Sequence, residues 1–513
     1  MTIKNGVLKT ISGVIGLTVL SKIFGFLREL LLSYYFGASG LSDAYIISQT
    51  IPGTIFQFVG TGLITCFVPI YIKELYDSGQ EEADDFSNSI LSLILIFSTV
   101  VMLIVMAFPG VIVGLFASGF EGETLHWAVL FTRIGICNLY FSAFLYLYNS
   151  YLQAHKIFYP GVISGLINSI VIILGIIVGA KKHVIWLCVI STSCPIIQLV
   201  YISPFIKREK FKVKPNFQFK TSVFVNFLKL LIPVIIGVSV NEVNILVDRT
   251  LASRIAVGGI SSLVYANSLI NFIQQGISQP VASVFFPHLS EKVVLQRDAD
   301  VRAVTQRSCM LLIELLAPIT VLIILFSKEI TIMLFGRGAF NGSAISLTSE
   351  AVKYYSIGIV FVGAREFISR YFYAYNNTKI PTINSAIGMI VNIFLNLVLS
   401  KIMGLSGLAL ATSISAAITV LMLILKSGEV NKENKKLVFN IKELLRNVAS
   451  LTPIILVYLI FIEFTRFEGF TLMVVVAIIG MLLWLICNFI FNTLVKDFVE
   501  RFVSEKKRSN LGN

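Results

Sequence analysis

Lys22, Arg28 and Glu29 stand close together in the run SKIFGFLRELLLSYYFGASGLSDAY (21–45), and Asp43 follows near its end. Set on a helix at about 100° per residue, Thr18, Ser21, Lys22, Gly25, Arg28 and Glu29 share one arc, while Val19, Leu20, Ile23, Phe24, Phe26 and Leu27 fill the remainder. A cation facing lipid at mid-bilayer costs at least about 2.5–3.5 kcal/mol. An arc with two cations therefore lines a water-filled cavity, or else pairs internally and locks two helices together. A second set repeats the theme: Gly237, Asn241, Asn244 and Asp248 share a helix face, with Arg249 beside it. Farther on, Asn392 and Asn396 share a face with Ser385 and Gly388, and LALATSIS supplies Thr412. Carboxylate, amide and hydroxyl oxygens of this kind suit a hard cation such as sodium; a satisfied polar cluster joining helices fits them equally. Arg365, Glu366 and Arg370 form a third group. Adjacent residues point about 100° apart, so each of these charges is expected to meet another helix or water.

The elements that must position these charges are membrane helices. Of 513 residues 56% are hydrophobic and only 13% charged, and the mean hydropathy is +0.85. Apolar runs of the roughly 20 residues a span needs recur from end to end, leaving no stretch for a large soluble domain. Fourteen spans are expected, near 8–36, 43–73, 86–117, 125–154, 158–180, 184–206, 223–254, 260–290, 308–335, 349–375, 380–400, 405–426, 449–466 and 470–493. An even count puts both ends on one side. The Lys- and Arg-rich segments 207–220, 426–446 and 496–510 share that side, which makes both termini cytoplasmic; AKKH (180–183) falls opposite. The net charge of +13 thus belongs to cytoplasmic loops, and nucleic acid is not an expected partner. The six cysteines lie singly in apolar runs, and no CxxC or Cys–His spacing points to a resident metal. GRGAFNGS (336–343) lacks the spacing and lysine of a phosphate loop, and HExxH and GxSxG are absent. No catalytic residues are expected, and energy is left to an ion gradient, the membrane potential or cargo supply.

The chain also repeats. GTGLITCFVPIYIKEL (60–75) resembles QGISQPVASVFFPHLSEK (275–292), and YLQAHKIFYPGVISGLINSIVII (151–173) resembles FYAYNNTKIPTINSAIGMIVNIF (372–394), aligning Pro160 with Pro381. The expected organisation is a six-helix lobe (1–206), a basic cytoplasmic linker (207–222), a second six-helix lobe (223–426), another linker (427–448), helices 13 and 14 (449–493) and a basic tail (494–513). Paired lobes of this kind are typical of transporters that bind cargo near the bilayer midplane.

Together SKIFGFLRELLLSYYFGASGLSDAY, FVPIYIKE, VNILVDRTLAS, LFGRGAFNGSA, AREFISRYFYAYNNTKIP and GLSGLALATSIS resemble the MurJ (MviN) flippases of the MATE-like exporter superfamily, in order along nearly the whole chain. The resemblance implies an all-α fold of fourteen transmembrane helices, two pseudo-repeated six-helix lobes plus two C-terminal helices that form a groove for a lipid tail. It implies a bacterial cell-membrane flippase that carries lipid II, an undecaprenyl-pyrophosphate-linked saccharide, to the outer leaflet by alternating access. Arg28 matches the family's cavity arginine, Glu29 stands where an acidic residue follows it, Asp43 matches its acidic partner, and Lys22 replaces an Arg; Arg249 or Arg365 is a candidate to supply further cargo-facing charge. The family's sodium site maps onto Asp248, Asn392, Asn396 and Thr412, with Asn396 in place of a carboxylate. Sodium is the one cofactor considered. Lipid-linked pyrophosphate and membrane lipids are the expected partners, with the chain acting as a monomer. Phe56 and Ser268 stand where the family usually has arginine. That departure keeps two alternatives in view, a flippase for a capsule or exopolysaccharide unit and a MATE-like ion-coupled exporter; a non-transporting membrane scaffold is the reading from another class.

Overall fold

The computed structural model describes residues 2–431, 435–464 and 469–491; the basic tail expected at 494–513 lies outside the described residues, as do 432–434 of the second linker. The helices are α1 (Thr2–Phe36), α2 (Gly40–Gly62), α3 (Val68–Asp77), α4 (Gln80–Ala107), α5 (Pro109–Phe116), α6 (Gly122–Gly135), α7 (Asn138–Ala154), α8 (Tyr159–Lys181) and α9 (Ile185–Arg208). There follow α10 (Ser222–Ile255), α11 (Gly259–Val294), α12 (Asp298–Leu325), α13 (Ser327–Phe335), α14 (Gly342–Ile357), α15 (Ile359–Ala374), α16 (Lys379–Met403), α17 (Leu405–Lys426), α18 (Ile441–Ala449), α19 (Thr452–Phe464) and α20 (Gly469–Phe491). No strand occurs among the described residues.

The second run of helices reproduces the first, the starts of α1, α2, α4, α6, α7, α8 and α9 recurring about 220 residues on in α10, α11, α12, α14, α15, α16 and α17. Hydrogen bonds carry the repeat to single residues. After α7 the Ile157 N–H reaches Leu152 O at 2.8 Å with Lys156 at φ 63°, and after α15 the Asn377 N–H reaches Phe372 O at 3.0 Å with Asn376 at φ 56°. Both are left-handed helix caps that satisfy the last carbonyls. Pro160 and Pro381 then both sit in the first turn of the next helix, where a missing N–H costs nothing, though their registers against the cap differ by one.

Ten helical stretches among the described residues are long and apolar enough to cross a bilayer, and α6 with α7, bent by 48°, makes an eleventh. With α1, α11 and α14 with α15 as further long helical segments, the described helices are consistent with the expected fourteen spans. Some boundaries differ from the apolar runs. The run 86–117 is broken before Pro109, and helix α4 begins earlier in polar QEEADD, because a helix continues past the hydrocarbon wherever caps allow. Likewise 308–335 divides at Phe326 between α12 and α13.

The chain divides into two compact units, Met1–Tyr265 with Arg337–Ala344, and Ala266–Gly336 with Ile345–Asn513. In the first, one end is built around the α1–α2 turn. Gly37, at φ +65°, ends α1; a Cβ there would lie 2.5 Å from Ala339 O, so only glycine lets the two backbones approach. Ser39 and Ser42 form a capping box that starts α2, and Tyr34 O accepts the Ala339 N–H at 2.8 Å. RGAFNGSA (337–344) is therefore a clasp on the end of α1. The basic segment 207–220 is also pinned, with Asn88 bonding Lys212 O and the Lys214 N–H, each at 3.1 Å. The second unit is centred on Phe367, Ile368, Tyr371 and Phe372 of α15, packed with Cys309 and Leu312 of α12 and Leu423 of α17. Ile454 and Val457 of α19 and Leu472, Val476 and Trp484 of α20 form a separate cluster with Phe326.

Candidate functional site

In the first unit a cavity of about 400 Å³ is lined by Arg28 and Glu29 of α1, Tyr45, Gln49 and Thr50 of α2, Asn168 of α8 and Arg249 of α10, among others. Helix periodicity delivers Arg28 here. Val19, Leu20, Ile23 and Leu27 on the opposite side of α1 are exposed, as a lipid-facing set must be, while Ser21 lies against Gly165 of α8. Two guanidinium groups and one carboxylate give the cavity a net positive charge. Such a lining suits phosphate oxygens, which guanidinium binds in a planar fork, and disfavours a cationic solute.

Arg28 donates to Glu29 Oε1 from Nε at 3.1 Å and from Nη2 at 2.6 Å. Their side chains are 32% and 10% exposed. These adjacent residues thus do pair, despite the 100° step between them, as the internal alternative allowed. Arg365 and Glu366 follow the rule instead: Glu366 pairs one turn on, with Arg370 at 3.2 Å, within its own helix and not with another. Arg370 also stands over the Phe286 ring, 5.8 Å from its centroid. These α15 residues belong to the second unit.

Other expected site residues are placed differently. Lys22 is exposed and is not part of the cavity lining. Asp43 is 1% exposed, and its carboxylate caps the start of α11: Oδ2 accepts the Gly258 N–H at 2.8 Å, and Oδ1 accepts both the N–H and the hydroxyl of Ser261 at 2.7 Å. Gly258, at φ +80°, presents that N–H where a side chain would strike Ala38 O. Asp248 is in α10 of the first unit, whereas Asn392, Asn396 and Thr412 are in the second. Asn392 donates to Thr412 Oγ1 at 3.4 Å, and Asn396 donates to Asn392 Oδ1 at 2.9 Å. Among the described residues no cluster of three or more His, Cys, Asp or Glu is placed to hold a metal ion.

A second cavity, of about 380 Å³, shares Gln49, Gly53 and Asn168 with the first. Three helices line it with polar and small residues at helical spacing: Gln49, Pro52, Gly53 and Phe56 on α2, Asn138, Ser142 and Asn149 on α7, and Gly161, Ser164, Gly165 and Asn168 on α8; Pro195 and Gln198 on α9 complete it. Phe56 is 3% exposed and stacks on Tyr146, with centroids 5.6 Å apart and planes at 4°. An aromatic pair thus occupies the place where an arginine was expected. The carboxamides of this cavity give no charge signal in the sequence, being neutral amides in apolar helices; the i, i+3, i+4, i+7 spacing of Gln49, Pro52, Gly53 and Phe56 and of Gly161, Ser164, Gly165 and Asn168 is the signal available.

The family model for the lipid II flippase MurJ matches residues 32–491. A probable lipid II flippase MurJ from Borreliella burgdorferi is 27% identical over 462 residues, covering 88% of this chain and 90% of that protein. The solved structure of a lipid II flippase MurJ in an inward closed conformation superposes with a TM-score of 0.81 at 27% identity, over 95% of this chain and 99% of its own. An inward-facing multidrug resistance MATE family transporter shares the fold, with a TM-score of 0.66 at 11% identity over 84% of this chain and 95% of its own. With the helical repeat, the apolar spans and a match across most of its length, the chain belongs to the lipid II flippase MurJ family, as a multi-pass membrane transporter and not an enzyme.

Proposed function

We propose that this chain moves a polyprenyl-pyrophosphate-linked saccharide, with lipid II the first candidate, from the inner to the outer leaflet by alternating access. The observation that carries the reading is Arg28 and Arg249 on one cavity, where a pyrophosphate meets two guanidinium groups. The proposal includes a monomer with both termini in the cytoplasm, lobes at 1–206 and 223–426, and helices 13 and 14 at 449–493 as an accessory pair. It also keeps sodium as the coupling ion, with Asn392, Asn396 and Thr412 as oxygen donors of the second unit; their mutual hydrogen bonds must rearrange for an ion to bind there.

The deciding experiment depletes the lipid II flippase of a bacterial host, expresses this chain and measures lipid II accessible at the outer leaflet. Restored accessibility is expected; none from a correctly inserted protein overturns lipid II as the cargo. A second reading, another polyprenyl-linked oligosaccharide, is favoured by Phe56 and Ser268 where the family resemblance leads one to expect arginine. It predicts that accessibility of that other lipid, and not of lipid II, follows expression.

A further inference from the structure

The cavity beside the cationic one carries five carboxamides, Gln49, Asn138, Asn149, Asn168 and Gln198, and no ionised side chain. An ion entering it would lose its hydration without gaining a counter-charge, so its occupant is neutral. Two buried atoms there, Gln49 Nε2 and Asn149 Oδ1, have no hydrogen-bond partner among the described residues. One is a donor and the other an acceptor. Buried polar atoms of this kind ordinarily find partners, and the two lack one acceptor and one donor, which the hydroxyl and acetamido groups of a sugar supply. Others of the five are already fixed: Gln198 Nε2 donates to Ser164 O at 2.8 Å, and Asn168 Oδ1 accepts from Cys194 Sγ at 3.1 Å. The walls are therefore set before a ligand arrives. Size points the same way, since about 380 Å³ lies within the roughly 300–1,000 Å³ of small-molecule sites and far above the roughly 30 Å³ share of one water.

Position supplies the identity. Gln49, Gly53 and Asn168 belong to both cavities, so a ligand whose pyrophosphate meets Arg28 can place the group bonded directly to it across that boundary. We propose that the carboxamide cavity is a subsite for the first sugar of a lipid-linked saccharide, recognising its hydroxyl and N-acetyl groups; this rests on the pyrophosphate reading of the cationic cavity. Phe56 fits this assignment. It keeps a cation out of a chamber built for neutral hydrogen-bonding groups.

The test uses the full chain in lipid nanodiscs and two probes, a polyprenyl pyrophosphate and the same lipid carrying one N-acetylhexosamine, with Kd read by native mass spectrometry. Wild type is expected to bind the sugar-bearing probe about tenfold more tightly, the size of effect that a pair of added hydrogen bonds supplies. In Asn149→Leu, at a residue outside the cationic cavity, the advantage falls towards one, while affinity for the bare pyrophosphate changes less than about twofold. Asn138→Leu is the second variant. Asn138, like Asn149, lines the carboxamide cavity and not the cationic one, so its replacement weakens the same advantage. An advantage absent from wild type, unchanged in these variants, or lost together with binding of the bare probe overturns the subsite and leaves a water-filled chamber. The pyrophosphate reading is scored separately: Arg28→Ala is expected to weaken both probes alike. If wild type binds neither probe, or Arg28→Ala changes neither Kd, that reading falls and the subsite with it.

Discussion

Arg28 gives two of its N–H groups to a single oxygen of the residue that follows it, Glu29 Oε1, at 3.1 and 2.6 Å. The pair fixes the guanidinium plane against the cavity wall before any cargo arrives. It also balances the Arg28 charge locally with the Glu29 carboxylate.

Replacing Arg28 by Ala is expected to cut outer-leaflet lipid II accessibility by more than about tenfold, since a charge-assisted hydrogen bond contributes roughly 1.5–3 kcal/mol. Arg28→Lys keeps the charge but loses the fork and is expected to fall between Ala and wild type. Accessibility normalised to inserted protein checks both. Equal activity of all three would remove Arg28 from the transport path.

Asp43 is a stability residue on the present geometry. Asp43→Ala strips acceptors from the Gly258 and Ser261 N–H groups and should cost about 2–4 kcal/mol, within the range for unsatisfied buried donors. Ser261→Ala removes one hydroxyl bond and should cost about 1 kcal/mol. Gly258→Ala adds a clash with Ala38 O and should destabilise as well. Thermal unfolding of purified protein ranks the three; an unaltered midpoint in Asp43→Ala would contradict the capping role.

Phe56→Arg, which installs the residue expected from the family resemblance, is expected to lower stability without improving transport. It loses the stack on Tyr146, worth about 0.5–1.5 kcal/mol, and puts a cation among neutral amides. Paired unfolding and accessibility assays decide the matter. A variant that transports lipid II better than wild type would mean the chamber does accept an arginine.

Sodium dependence is checked by exchanging sodium for choline at constant ionic strength. Transport should fall several-fold in wild type, and Asn396→Asp, which adds a carboxylate beside Asn392 and Thr412, should lower the sodium concentration needed. Identical rates in both salts would exclude sodium as the coupling ion.

Much of this molecule is legible along the chain because hydropathy and helical period are local properties. The arc from Thr18 to Glu29 and the exposed Val19, Leu20, Ile23 and Leu27 follow from a 3.6-residue turn in an apolar solvent. The repeat is legible too, since YLQAHKIFYP and FYAYNNTKIP encode the same left-handed cap before the same kind of first turn.

Which partner each polar residue meets was decided only by tertiary structure. Asp43 reads as a cargo residue until α11, more than two hundred positions later, brings Gly258 and Ser261 to its two oxygens. Arg28 and Glu29 share an arc in the sequence, but a side-chain rotamer makes them a pair. The carboxamide chamber exists because α2, α7, α8 and α9 turn weakly polar stripes towards one another. A single helix shows only which residues share a face; what that face encloses depends on helices distant in sequence, whose contacts are set by packing.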